Sequence, residues 1–280
     1  MIISPSAISP YKIPTFQSGG ASFVGLLDLY PSAAAAYSVR RLSGVYSGSL
    51  MEVRRSSDNA LQDIGFDANG DLDTTSLLSF VGAGDGFIRT WYDQSGNANN
   101  AQNTTASEQP RIIYSGTLEV LNGIPALYSS ATVNLAFSNV VLTQDPYFIS
   151  QVVQHNGINK IFIGNLTNTI DFIQNRSLQY RVRSNNASVD FTNKLSISVQ
   201  YNSNIIRTNG GDLIHSRNGV TETKTAPAQN FTINGVFDGY STAIDLSLVG
   251  YGQELVIWQQ DYEANRAAIE SNINSYFSIY

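Results

Sequence analysis

The stretch Trp91-Tyr92-Asp93-Gln94-Ser95-Gly96-Asn97-Ala98-Asn99-Asn100 decides how this chain is read. It is entered from Gly86-Phe87-Ile88-Arg89-Thr90-Trp91-Tyr92, an apolar, strand-like run. The run stops abruptly in Asp, Ser, Gly and Asn. Such a loop costs stability unless its polar groups find partners. In one reading Asp93, Asn97 and Asn99 bond the hydroxyls of a sugar, while Trp91 or Tyr92 stacks on the ring. The same oxygens suit Ca²⁺. In the other reading Asp93 and Asn97 bond their own backbone in Asx-turns and fix the shape of a sheet edge. The structural reading is preferred, and no metal or other cofactor is expected.

Upstream, Pro31-Ser32-Ala33-Ala34-Ala35-Ala36-Tyr37-Ser38-Val39-Arg40-Arg41-Leu42 is predicted as a short helix. Proline suits the first turn and alanine is the best helix former. From Ser49 to Phe66 the pattern alternates as two strands around Ser56-Ser57-Asp58-Asn59. Asp67-Ala68-Asn69-Gly70-Asp71-Leu72-Asp73 has the look of a calcium loop. Its Gly comes too early, however, and Leu78 stands where a bidentate Glu is required. A turn is expected there, followed by a helix from Thr74 to Phe80 capped by Asp73.

Downstream, short β-type runs separated by Asn/Gly/Ser turns extend from Pro110 to Tyr251. They are Tyr147–Gln154, Lys160–Gly164, Thr169–Ile173, Leu178–Val182, Leu195–Tyr201, Asp212–His215, Asn230–Val236 and Asp245–Val249. This spacing marks an antiparallel sandwich or jelly roll. A strand at Gln253–Trp258 and a helix over 261–276 follow, with Asp261 as cap and Arg266/Glu270 as an exposed pair.

Residues 1–28 differ from the rest. Pro5, Pro10 and Pro14 exclude a helix or a central strand. Ile2, Ile3, Ile8, Tyr11, Ile13 and Phe16 make the segment too apolar for an ordinary tail. An extended arm is expected, docking on a neighbouring subunit or on its own domain, with a domain over 29–280.

Composition narrows the function. A hydrophobic share of 42% supplies a core, and only 14% of residues are charged, against ~25% in an average domain. A net charge of −6 without a cluster of Lys or Arg argues against nucleic acid and against an anionic membrane. The absence of cysteine excludes disulfides, thiolate metal sites and a cysteine nucleophile. No export signal is read at Met1-Ile2-Ile3-Ser4-Pro5. His155 and His215 share no motif, and Ser95 lacks a nucleophile-elbow frame.

Three segments carry a resemblance. They are Ala35–Leu42, then Val53-Arg54-Arg55-Ser56-Ser57-Asp58-Asn59 with Asp63-Ile64-Gly65-Phe66, then Trp91–Asn97. In this order they resemble the catalytic domain of family 54 glycoside hydrolases, the α-L-arabinofuranosidase B type. They are equally similar to bacteriophage structural proteins that carry the same module. The resemblance implies an all-β, concanavalin A-like (laminin-G-like) jelly roll with a few short helices. It implies a catalytic pair as well, for which the nearest counterparts are Asp171 in Ile170-Asp171-Phe172-Ile173 and Asp238 in Phe237-Asp238-Gly239-Tyr240. Asp171 stands where that family carries a Glu, and the family's disulfides cannot form here.

Low charge, no cysteine, no export signal, the arm and the module together lead to the expectation of a virion protein. It would be a capsid decoration, head-fibre or tail-associated subunit, assembled in the host cytoplasm and extracellular in the particle. Its expected partners are other virion proteins through the arm and further copies of itself, with a glycan as candidate ligand. The alternative is an arabinofuranosidase-like hydrolase acting on terminal arabinofuranosyl residues, with Asp171 and Asp238 as its carboxyls.

Overall fold

The computed structural model describes residues 23–280, except 131–132, 144–145, 159, 168–170, 177, 185–186, 227–229 and 238–247. The expected arm therefore lies outside the described residues up to position 22. At its end Leu26–Leu29 form one helical turn, held by Asp28 accepting from the Gly25 N–H at 2.7 Å.

The described strands pair antiparallel in two layers. One layer runs in the order 33–38, 249–258, 147–155, 200–207, 212–217 and 220–225. The other runs 61–64, 51–55, 86–91, 101–102, 135–142, 231–236, 160–164, 172–175, 180–184 and 187–191. The strand Leu127–Ser130 joins the layers by pairing with both 111–114 and 249–258. This is the all-β sandwich that the strand spacing predicts. Rings from both layers meet between them. Trp91 lies 5.7 Å from Tyr37 and 6.3 Å from Phe237, and Phe162 packs edge-on to Phe237 at 5.4 Å.

The predicted 31–42 helix is instead the strand Ala33–Ser38, with Tyr37 opposite Leu255. Helix propensity is a weak prior that tertiary pairing overrides. Here the pairing with 249–258 satisfies the strand's backbone, and the small alanines leave room for the neighbouring layer. Thr74–Val81 is the predicted helix, with the Ser76 N–H on Asp73 Oδ1 at 3.0 Å. The Asp67 segment is a turn: Asp67 Oδ1 accepts from the N–H groups of Asn69 at 2.8 Å and Asp71 at 2.9 Å.

Lys160–Gly164 is a strand over the predicted bounds, and Tyr147–His155 extends the predicted run by one residue. Others shift: Phe172–Asn175, Tyr180–Ser184 and Gln200–Arg207 begin later than expected. Most of the predicted 245–249 strand lies outside the described residues, and Val249–Trp258 is one continuous strand. Ala187–Phe191 and Val220–Thr225 had no counterpart in the sequence reading.

The C-terminal helix begins as a 3₁₀ turn, Glu263–Asn265, and continues as Arg266–Phe277. It buries Ile269, Ile273 and Phe277 on the outer face of the first layer. Glu270 is not exposed, as the i, i+4 pattern suggested, but buried. It accepts from Asn204 Nδ2 at 3.1 Å, from the Ser216 hydroxyl, and from Arg266 at 2.8 Å. A strand such as 147–155 is therefore covered on both faces, although it carries Ser150, Gln151 and Gln154. Among the described residues no helix is long and apolar enough to cross a membrane.

Candidate active site

The 93–100 loop is a lock on the 33–38 strand. Asp93 is buried, and its Oδ1 accepts from the N–H groups of Ala36 at 2.8 Å and Ser95 at 2.9 Å. Its Oδ2 accepts from Ser95 Oγ at 2.7 Å and from the Asn99 N–H at 3.0 Å. Asn97 Nδ2 donates to the Ala33 carbonyl at 2.8 Å, and Asn99 Nδ2 to that of Ala34 at 2.9 Å. Gln94 bridges the next turn, accepting from the Leu42 N–H at 2.8 Å and donating to the Arg40 carbonyl at 2.9 Å. Gly96, at φ +90°, supplies the left-handed step that closes the loop.

The fold thus uses the side chains that the sequence offered as sugar contacts. Trp91 is fully buried, with Nε1 on the Ser38 carbonyl at 3.1 Å, so neither ring face is free for stacking. Tyr92 donates its hydroxyl to Asp63 at 2.8 Å. Tyr37 donates to the Asn99 carbonyl, and burial together with the Asp93 charge pushes its hydroxyl pKa well up.

Asp171 is buried at the head of the 172–175 strand, and its carbonyl accepts from the Asn165 N–H at 2.9 Å. After the 160–164 strand, Leu166 lies against the 231–236 strand. The Leu166 N–H donates to Asn234 Oδ1 at 2.6 Å, and Asn234 Nδ2 to Asn139 Oδ1 at 2.9 Å. Leu166 fills the space above Gly235, where a Cβ would come within 2.3 Å of its side chain.

Asp238 lies outside the described residues. Its neighbour Phe237 has φ +71°, a costly conformation for a bulky side chain, and bonds the Phe162 carbonyl through its N–H at 2.6 Å. Register places Phe237 level with Phe162 and Asp171 level with Asn165, on opposite sides of the 160–164 strand. At ~3.3 Å rise per residue and ~4.8 Å between strands, their backbones stand roughly 14 Å apart.

Four other buried or half-buried carboxylates pair with arginine. Glu254 takes a bidentate pair from Arg40, at 2.8 and 3.1 Å, and also the Ser38 hydroxyl. Glu52 pairs with Arg89 at 2.7 Å, Asp190 with Arg181 at 2.6 Å, and Glu119 with Arg111.

The two histidines are less isolated than their sequence positions suggest. His215 Nε2 lies 3.1 Å from Ser203 Oγ, and its Nδ1 lies 2.6 Å from Asn193 Oδ1. This Ser–His–amide line resembles a nucleophilic relay. It is sealed, however, with the Tyr180 ring stacked on the imidazole at 4.0 Å and Phe191 against its edge. Burial lowers the His215 pKa to about 3, too acidic for a general base near neutrality. His155 is equally buried and also lowered to about 3; among the described residues neither ring nitrogen has a hydrogen-bond partner. The signal for the Ser203 network was the run Asn202-Ser203-Asn204 inside a β pattern. Polar residues on both faces of a central strand imply burial against further polar groups.

The family model of the catalytic domain of α-L-arabinofuranosidase B matches residues 28–139, the part that holds the Asp93 lock. No curated protein matches the chain. A family 54 α-L-arabinofuranosidase soaked with a cyclic sulfate inhibitor superposes with a TM-score of 0.68 at 17% identity, covering 89% of this chain. An arabinofuranosidase complexed with arabinofuranosyl-α-1,2-xylobiose gives 0.66 at 17% identity over 89%. The chain spans 65% and 64% of the length of these two structures. Their fold is the fold of this protein.

These matches overturn the expectation of a bacteriophage virion subunit, whether capsid decoration, head fibre or tail. The segment carrying the resemblance matches a hydrolase catalytic domain. Low charge and missing cysteines describe a surface and a redox history, not a site.

Proposed function

We propose that this chain is an arabinofuranosidase-type glycoside hydrolase domain acting on terminal arabinofuranosyl groups. The observation that carries the reading is the family-model match over 28–139, embedded in a fold that continues through 89% of the chain. A retaining glycosidase needs two carboxyl groups about 5–5.5 Å apart, so the pair proposed here requires both side chains to reach inward from backbones that stand roughly 14 Å apart at Phe237 and Asp171. One attacks the anomeric carbon while the other protonates the departing oxygen. Water, activated by the second group, then releases the sugar from the first. The resemblance gives these roles to Asp171 and Asp238. Asp171 has the burial expected of such a group, and the positive φ of Phe237 marks strained backbone next to Asp238.

The test is release of nitrophenol from an aryl α-L-arabinofuranoside by the purified chain. Hydrolysis is expected, falling by about 10²–10⁴-fold in Asp171→Asn and in Asp238→Asn. A chain that hydrolyses nothing, or whose turnover neither substitution changes, rejects the proposal.

A further inference from the structure

We infer that a groove beside the Asp93 lock is a binding site for a neutral oligosaccharide, separate from the Asp171 hairpin. The groove holds about 680 Å³ and runs between the 98–108 segment and the start of the 135–142 strand. That volume lies within the range of ordinary ligand pockets. Its floor is the Gln102–Ala136 strand pair, with Ala136 exposed. The register shift between Ala136 and Val140 sets Ser138 on its wall.

Its walls are fixed before any ligand arrives. Asn103 Nδ2 donates to Glu108 at 3.2 Å and to the Asn134 carbonyl at 3.1 Å, and its Oδ1 accepts from the Thr105 N–H at 2.8 Å. Asn100 Oδ1 accepts from the Asp93 N–H at 3.1 Å, which ties this wall to the lock. Other groups are unspent. Among the described residues the side chains of Gln102, Thr104 and Ser138 have no hydrogen-bond partner, nor has Asn100 Nδ2.

The lining chemistry selects the ligand. Among the described residues Glu108 is the one charged residue lining the groove, and no Lys or Arg lines it, so an anion has no cation to pair with inside it. The apolar side chains, Ala98, Ala136 and Phe137, are few, and Phe137 is buried, so a lipid or apolar peptide gains little. Amides, hydroxyls and one carboxylate, donors and acceptors intermixed on a rigid wall, match the hydroxyls of a sugar chain. The proposed hydrolase activity supplies only the choice of probe.

The experiment titrates ¹⁵N-labelled protein with α-1,5-linked arabinotriose. Saturable millimolar shifts are expected at residues 98–108 and 134–138. The double change Gln102→Ala/Ser138→Ala, at exposed positions, should weaken binding about fivefold or more, as loss of two hydrogen bonds requires. Ala136→Trp, which fills the groove, should abolish it. Both variants should hydrolyse an aryl arabinofuranoside as the parent does. Binding without any hydrolysis leaves the groove standing and removes only the proposed activity. Absence of shifts, shifts elsewhere, binding unchanged in the double variant, or equal binding of trigalacturonate overturns the inference.

Discussion

Asp93 and Ala36 stand 57 residues apart in sequence and are joined by a 2.8 Å hydrogen bond from the Ala36 N–H to the buried carboxylate. That bond explains why an alanine run adopts a strand. The lock supplies partners along one edge of 33–38, an acceptor in Asp93 and a donor in the Gln94 N–H on the Ala36 carbonyl, while 249–258 supplies the other edge.

Asp93→Ala should therefore destabilise the domain by about 3 kcal/mol or more, because it strands several buried N–H donors at once. Urea denaturation checks this. Asn97→Ala, which removes one exposed donor, should cost about 1 kcal/mol, within the usual range for a single hydrogen bond. A larger loss for Asn97 than for Asp93 would contradict the lock.

The buried Arg40–Glu254 pair makes a different prediction. Removing one partner leaves an uncompensated buried charge, so Arg40→Met should cost about 3–5 kcal/mol. Arg40→Met combined with Glu254→Gln should recover much of that loss. A double-mutant cycle measures the coupling, and additive losses would show that the pair does not act as a unit.

Acid should destabilise this protein through its histidines. Each has a folded pKa of about 3, below its ordinary 6.5. The unfolded chain therefore takes up protons below pH 6.5 while the folded chain does not. The stabilisation is complete above that pH and shrinks as pH falls toward 3. Between pH 7 and pH 5 each histidine should cost about 2 kcal/mol. His155→Leu removes a ring that has no hydrogen-bond partner among the described residues, and should flatten the pH dependence by about one proton. Unfolding free energies measured across pH 5–7 decide this, and an unchanged slope would count against it.

The Ser203–His215–Asn193 line should have no part in turnover, because Tyr180 and Phe191 seal it. Ser203→Ala is expected to lower stability by about 1 kcal/mol and leave kcat unchanged. Loss of kcat in a stably folded variant would make the line catalytic after all.

Much of the sandwich was legible in the sequence, because turn residues and β-branched runs act locally. Lys160–Gly164 and the Asp73-capped helix are cases where local signals decide structure. The alanine strand was not legible, since its pairing lies with residues more than 200 positions away. The buried state of Glu270 was hidden for the same reason. Spacing within one helix shows its pairing with Arg266 but not the strand residues Asn204 and Ser216 that close over it. The loop at 93–100 showed that its polar groups need partners without showing that those partners are backbone. Asp171 was named only through resemblance, as neither its surroundings nor its burial leaves a periodic signal.

The central claim is a retaining hydrolase whose nucleophile is Asp171. Its most direct test is mass spectrometry of the protein after incubation with an arabinofuranose-configured cyclic sulfate. The account predicts one covalent adduct per chain, on the peptide containing Asp171, and none in Asp171→Asn. No adduct on the intact protein, or an adduct on another residue that persists in Asp171→Asn, would contradict it.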